Sequence, residues 1–256
     1  MSTINFSNSK PTLAIFGSTG GVCSTILKSA LKAGYHCSAL VRTPSKLTTI
    51  LEDAGLSSSL LTSNLTIHTG DVKDPVAVRA ALLVNSSPAD IIISGVGFFV
   101  GTSDIDIHLC ESAARTVVSA VQESKYLEDK KPLMVVISTT GISAGPRDVP
   151  ILFLPLYKVL IRTPHADKKA MEDVVVEAAT QAAIGGYVIV RPSLFKMWGD
   201  EGRSEKGGNK PVRVGREKKP AVGYLIGRED VANWVFEECV VKGGEGWRGE
   251  RVSLTW

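Results

Sequence analysis

The stretch from Leu13 to Arg42, LAIFGSTGGVCSTILKSALKAGYHCSALVR, constrains the fold of this chain more than any other. A short apolar run, Leu13 to Phe16, leads directly into Gly17-Ser-Thr-Gly20-Gly21. A helical pattern continues to Ala33, Gly34 stops it, and a second apolar run from His36 to Val41 ends on Arg42. Short apolar runs flanking an amphipathic segment predict a β-α-β unit, in which two parallel strands are joined by a crossover helix. Glycines in the first strand-to-helix turn let the backbone bend sharply and leave unpaired N–H groups at the helix N-terminus, where a phosphate can sit. Gly17, Ser18, Thr19, Gly20, Gly21 and Val22 therefore form the candidate pyrophosphate cradle of a dinucleotide.

The end of the second strand points to the kind of dinucleotide. A carboxylate there suits a free ribose 2′-hydroxyl, whereas an arginine suits a 2′-phosphate. The strand end reads Val41-Arg42-Thr43-Pro44-Ser45-Lys46, with no acid before Glu52. A planar guanidinium matches phosphate through paired charge-assisted bonds. Arg42, Ser45 and Lys46 thus favour NADPH over NADH. A solvated strand-end charge is the plainer reading of Arg42.

Apolar runs recur at Leu65 to Thr69, Asp90 to Ser94, Leu133 to Ile137, Tyr187 to Val190 and Arg251 to Leu254. Helical patterns lie between them at Ser45 to Ala54, from Pro75 onward with Asp74 as its cap, Ile105 to Ser124, Pro164 to Ala183 and Glu229 to Val241. Leu56 to Asn64 reads as a serine-rich connection, and Ser204 to Pro220 as a mobile loop. This alternation predicts an α/β, Rossmann-type doubly wound parallel sheet with helices on both faces and a small C-terminal substrate lobe. Residues 1–11 read as a tail and 12–256 as one domain. Ligands of such sheets bind beyond the carboxyl ends of the strands. Those ends carry Gly17–Gly21, Arg42, Asp71-Val72, Gly95-Val96-Gly97, Ser138-Thr139-Thr140 and Arg191-Pro192.

Composition narrows the class. Of 256 residues, 44% are hydrophobic and 21% charged, enough for a substantial core. A net charge of +3 is too small to point to nucleic acid. No apolar run approaches the ~18 residues of a membrane span. Cys23, Cys37, Cys110 and Cys239 form no CxxC pair, so no metal is expected, and reduced thiols in the cytoplasm are the simplest account.

With these residues in place, the chain resembles the atypical short-chain dehydrogenase/reductases, in particular the NmrA-like, NAD(P)H-binding group, with fungal secondary-metabolism members nearest. The matching elements are Gly17-Ser-Thr-Gly20, Val41-Arg42, Gly70-Asp71-Val72, Ser138-Thr139, Lys168-Lys-Ala-Met-Glu172, Tyr187-Val-Ile-Val-Arg191-Pro192 and Gly227-Arg-Glu-Asp-Val231. The resemblance implies that Asp71 and Val72 flank the adenine and that Gly95, Val96 and Gly97 run along the cofactor. It implies further that Ser138 or Thr139 faces the substrate and that Lys168 binds the nicotinamide ribose. Ser138, Arg191 and Pro192 are candidate cofactor-binding residues as well. Two departures stand out. Cys23 replaces the third glycine of the turn, which predicts weakened helix–strand packing. The usual Tyr-x-x-x-Lys is absent, since Pro164 precedes Lys168 by four residues and His165 precedes Lys169 by four.

His165 is then a candidate proton donor, or simply a helix residue. Ser138 and Thr139 are candidate substrate hydroxyls, or loop-satisfying ones. Asp104 and Asp106 read as helix caps, Cys110 as core, and Tyr157 and Trp198 as cavity or core aromatics. The leading reading is an NADPH-dependent oxidoreductase, monomeric or homodimeric, acting on a small hydrophobic or aromatic carbonyl-type substrate. The alternatives are a cofactor-sensing regulator that binds a protein partner and a redox-neutral enzyme on the same scaffold.

Overall fold

The computed structural model describes residues 10–97, 106–124, 126, 130–153, 162–196 and 211–256. In chain order these form β1 (Leu13–Phe16), α1 (Gly21–Lys32), β2 (Cys37–Val41), α2 (Pro44–Asp53), α3 (Ser58–Asn64), β3 (Leu65–Thr69) and α4 (Pro75–Ala81). The short β4 (Leu83–Val84) and β5 (Ser87–Pro88) precede β6 (Ile91–Ser94), α5 (Leu109–Glu123), β7 (Leu133–Ile137) and α6 (Arg162–Thr180). Then follow β8 (Gly186–Pro192), β9 (Leu194–Phe195), β10 (Arg213–Arg216), β11 (Leu225–Ile226), α7 (Arg228–Val235) and β12 (Glu250–Thr255).

The main sheet has the order β10-β12-β8-β7-β6-β1-β2-β3. Every neighbouring pair in it is parallel except β10 with β12. From β1 the chain builds outward to β3, then crosses back to β6 and builds outward the other way. The switch point lies between β1 and β6, which is where an open parallel sheet forms its ligand crevice.

Both faces of the central strands β1, β2, β6 and β7 are covered, and every residue in them is buried. On β1, Leu13 and Ile15 pack with α1, α2 and α7 through Ile26, Leu47 and Val231. Ala14 and Phe16 pack on the opposite face with α4, α5 and α6 through Val78, Val117 and Val175. This is the doubly wound arrangement that the alternation of patterns predicts.

Local chemistry sets the element ends. Gly34 takes φ +75° and its N–H donates to Leu31 O, closing α1 as a left-handed glycine stop does. Asp74 caps α4 by accepting from Val76 N at 2.9 Å, with Pro75 at the first helical position. Three features depart from the pattern reading. The serine-rich connection contains α3, capped by Ser57, whose Oγ accepts from Leu60 N. Part of the segment read as a mobile loop is β10, which pairs with β12 from Arg213 to Arg216. The helix before β7 begins at Leu109, and Asp106 accepts from His108 N just ahead of it. Asp104 and Ile105 lie outside the described residues.

Candidate active site

The turn after β1 is built around Gly17. Its φ is +79°, a conformation that costs a side-chain-bearing residue about 1–2 kcal/mol. Space forbids a side chain there as well. A Cβ on Gly17 would lie 2.8 Å from Gly95 C and 2.9 Å from Gly95 O, so the ends of β1 and β6 touch at the switch point. Gly20 N donates to Gly17 O at 2.9 Å, and Gly20 then opens α1 with extended backbone. The next N–H groups have no carbonyl behind them in the helix, which makes the turn an anion cradle.

Cys23 does not loosen the packing as the missing third glycine predicts. Its sulfur is buried against Gly95, where a Cβ would come within 2.5 Å of Sγ. A glycine on the facing loop thus makes the room that a glycine on the helix normally makes. Burial pushes the Cys23 thiol up to about 12, so it is a packing group at neutral pH. Cys37, Cys110 and Cys239 are likewise free, buried and raised to about 11 or 12.

Arg42, Ser45 and Lys46 are all exposed, at the end of β2 and the start of α2. Beyond β3, Asp71 is half-buried, and its Oδ1 accepts from Lys73 N at 2.9 Å. Val72 packs against the α4–α5 core. Lys73 forms an ion pair with Asp106 at 2.9 Å, which raises its pKa while Arg42 opposes the rise. The β2 and β3 ends therefore present basic groups to the same patch.

Lys168, on α6, reaches across the crevice. Its Nζ donates to Val96 O at 2.8 Å and to Ile137 O at 2.7 Å, tying the loop after β6 to the end of β7. Gly97, beside it, is exposed, and a Cβ there would lie 3.7 Å from Nζ. Next to it on the helix, Asp167 is buried, and its carboxylate accepts from Cys110 N at 2.8 Å and Glu111 N at 2.9 Å. It caps α5 from another element, and the helix dipole favours that charge. No local pattern announces such a cap.

Two of the predicted site residues are held differently from expectation. Ser138 Oγ donates to Glu172 Oε1 at 2.6 Å in a buried contact, so its proton is already bound. Arg191 is also buried and grips Glu172 with both ends, Nε to Oε1 at 2.9 Å and Nη2 to Oε2 at 2.5 Å. Arg251 Nη1 bonds Glu217 at 2.8 Å, and Arg191 Nη1 lies 3.8 Å from the same carboxylate. Arg191 is thus spent on an internal ion network rather than offered to a cofactor, and Pro192 is buried beside it. Asp148 completes the cluster. One oxygen accepts from Gly141 N at 2.9 Å, and burial raises the carboxyl pKa.

Thr139 keeps a half-buried hydroxyl, bonded to Thr140 O at 3.2 Å. His165 is partly buried, and desolvation lowers its pKa from 6.5 to about 4. It is a neutral imidazole at physiological pH rather than an imidazolium acid. Tyr157 and Trp198 lie outside the described residues. Glu172 was within reach of sequence reasoning, because it follows Lys168 by four residues and so shares its helix face. Among the described residues no cluster of His, Cys, Asp or Glu could hold a metal ion, and no helix is long and apolar enough to cross a membrane.

Residues 17–239, most of the chain, match the model of an NAD(P)H-binding family. The chain belongs to this family. It is 43% identical to a reductase, pytE, of Aspergillus terreus, over 98% of this chain and all of that protein. It is 36% identical to an oxidase, pynE, of Aspergillus niger, over 96% of this chain and 99% of that one. Among solved structures, a short-chain dehydrogenase/reductase from Veillonella parvula superposes with a TM-score of 0.70 at 13% identity, covering 96% of this chain and 94% of that one. The oxidoreductase ylbE of Lactococcus lactis gives 0.64 at 17% identity, over 95% and 90% of the two chains. The chain is an NAD(P)H-binding oxidoreductase with a Rossmann-type fold.

The crevice fits a nicotinamide dinucleotide on its own geometry. Glycines line the contact at the switch point, where Cβ atoms would fill the space. Ser18 Oγ is buried in the turn with no hydrogen-bond partner among the described residues, an atom that a bound phosphate would satisfy.

Proposed function

We propose that the protein is an NADPH-dependent oxidoreductase acting on a small hydrophobic or aromatic carbonyl-type substrate. The observation that carries the reading is Lys168. It is held over the junction of the β6 and β7 ends, beside the Gly17–Gly95 contact, where the family places a cofactor ribose. A bound nicotinamide cofactor supplies the hydride equivalent. Gly17 to Val22 hold the pyrophosphate, and Arg42, with Ser45 and Lys46, holds the 2′-phosphate. Asp71 and Val72 flank the adenine, and Gly95 to Gly97 line the ribose side.

Burial disfavours the imidazolium form of His165, which ranks it below the Ser138 and Thr139 hydroxyls and the Lys168 ammonium as the proton donor, acting directly or through water. The role of Glu172 and Arg191 is to fix Ser138 and the end of β8, and so to shape the floor of the substrate side. A reductase and an oxidase among the relatives leave the physiological direction open to either sign of the same hydride chemistry.

Calorimetry with NADPH and NADH tests the cofactor. Removing a charge-assisted phosphate contact costs about 1.5–3 kcal/mol, so Arg42→Ala weakens NADPH by that amount and leaves NADH nearly unchanged. Equal affinity of the wild type for both cofactors sinks the NADPH assignment. Turnover is tested by NADPH oxidation against aromatic ketones, quinones and enones. Tight NADPH binding with no turnover on a broad panel favours the sensor alternative.

A further inference from the structure

The segment Gly227-Arg-Glu-Asp-Val231 has no task in the site as described, yet its arginine arrives there. The short parallel pair β9–β11 sets Ile226 opposite Phe195, and Lys196 N donates to Ile226 O at 3.1 Å. This clamps the first residue of α7, Arg228, beside the first residue of α1, Gly21. The fit between them is close. A Cβ on Gly21 would lie 2.6 Å from Arg228 Cδ and 3.4 Å from Nε, so the arginine stem, as placed, lies across the turn in the space a side chain at residue 21 would take. The guanidinium then stacks on Phe195, its carbon 4.8 Å from the ring centroid, and Nη1 reaches Lys196 O at 3.4 Å.

Electrostatics makes this placement informative. A helix N-terminus carries partial positive charge and disfavours a cation. Arg228 opens α7, whose first turn also carries Glu229 and Asp230, while its stem lies over the start of α1, whose first turn carries no acid. Phe195 lies against the guanidinium, whose N–H donors lie in its own plane, the geometry that grips phosphate oxygens two at a time. The anion that belongs beside Gly21 in this family of crevices is the dinucleotide pyrophosphate.

We propose that Arg228 is a second cofactor-binding arginine, laid across Gly21 by the β9–β11 pair and stacked on Phe195 to clamp the pyrophosphate, as Arg42 holds the 2′-phosphate. The proposal rests on the dinucleotide reading of the site but not on the choice of NADPH, because the pyrophosphate is common to both cofactors.

Calorimetry on wild type, Arg228→Ala and Arg228→Lys with three probes decides it. The probes are NADPH, NADH and adenosine 2′-monophosphate, which has the 2′-phosphate but no pyrophosphate. Loss of a charge-assisted contact predicts that Arg228→Ala weakens both dinucleotides about ten- to a hundredfold. The lysine variant recovers part of the loss, adenosine 2′-monophosphate binds as before, and the thermal midpoint stays near that of the wild type. Unchanged or tighter dinucleotide binding overturns the proposal, the latter by showing that Arg228 obstructs the turn. Equal weakening of the adenosine monophosphate, or a collapsed midpoint, also overturns it, since the arginine would then be structural. A wild type that binds NADPH and NADH equally removes the 2′-phosphate reading alone, whereas one that binds neither removes both.

Discussion

At the β1–β6 side of the crevice the polar groups are left open, whereas at the β7–β8 side they are used up. The turn from Gly17 to Val22 shapes its backbone for an anion, Ser18 Oγ has no partner among the described residues, and Arg42, Ser45 and Lys46 stand in solvent. Across the switch point, Ser138, Glu172, Arg191, Arg251 and Glu217 are tied to one another by short contacts. The Arg42, Ser45 and Lys46 donors at the β1–β6 side lie at the surface, where water satisfies them. The charges at the β7–β8 side are buried and satisfied internally, because buried charges without partners are costly.

The largest effect that tests this contrast is on Glu172. Removing one partner of a buried ion pair strands the other, at about 3–5 kcal/mol. Glu172→Ala leaves Arg191 uncompensated in the core and lowers the denaturant midpoint accordingly. The double variant Glu172→Leu/Arg191→Leu, which removes both charges, is expected to be more stable than Glu172→Ala. Denaturant unfolding of both variants checks this. A single variant that unfolds like wild type shows that the network is not holding the β7–β8 floor.

The same contrast explains how much of the molecule was legible in the sequence. The open half is local. Its glycines, strand end and helix start lie within one β-α-β unit, so the turn from Gly17 to Val22 and the strand end at Arg42 can be read from local spacing. All seven predicted strands are present, the central ones because residues buried on both faces must be apolar without interruption. The wired half is assembled from distant elements. Asp167 caps α5 from 57 residues away, and Glu172 pairs with Arg191 across α6 and β8; in the open half one contact is of this long-range kind, Arg228 beside Gly21, set by the β9–β11 pair. No spacing rule joins such residues, and Arg191 at a strand end looks from sequence like a ligand contact. Strand β10 was hidden for a related reason. It is an edge strand of Arg, Val, Gly and Arg with one buried position, too polar to show a strand pattern.

A smaller effect sharpens the assignment of His165. Burial lowers its pKa from 6.5 to about 4, so in the folded state the imidazole stays neutral while the unfolded chain takes up the proton first. Its contribution is complete above pH 6.5, is lost as pH falls from about 6.5 to about 4, and is constant below that. The loss is on the order of 2–3 kcal/mol over the window. Asp148, whose carboxyl is raised by burial, acts with the opposite sign, and His68, lowered by burial, acts with the same sign. The difference in unfolding free energy between wild type and His165→Gln, measured from pH 7 to pH 4, cancels both and isolates His165. A flat difference would mean that His165 titrates normally, which returns it to the list of proton donors.

The smallest effect concerns a tightly packed contact within the open half. Cys23 Sγ occupies the space that a side chain at residue 95 would need, with an ideal Cβ only 2.5 Å away. Gly95→Ala therefore overpacks a buried contact and costs about 1–3 kcal/mol. Cys23→Gly removes the sulfur and places the third glycine where the family pattern has it, at some cost in helix propensity. If the two positions share one steric slot, the double variant Cys23→Gly/Gly95→Ala is more stable than the sum of the single changes predicts. A coupling of about 1–2 kcal/mol in the double-mutant cycle is expected, within the range for residues in direct contact. The cofactor gives a second reading of the same slot. Gly95 N donates to Phe16 O, and Gly95 backbone abuts Gly17, so any shift forced by the alanine is passed to the turn. Dinucleotide affinity should fall in Gly95→Ala and return in the double variant. Additive stabilities with an unchanged affinity would show that the α1 N-terminus is free to move away from β6, and that the glycine lost from the helix is not replaced by the one on the loop.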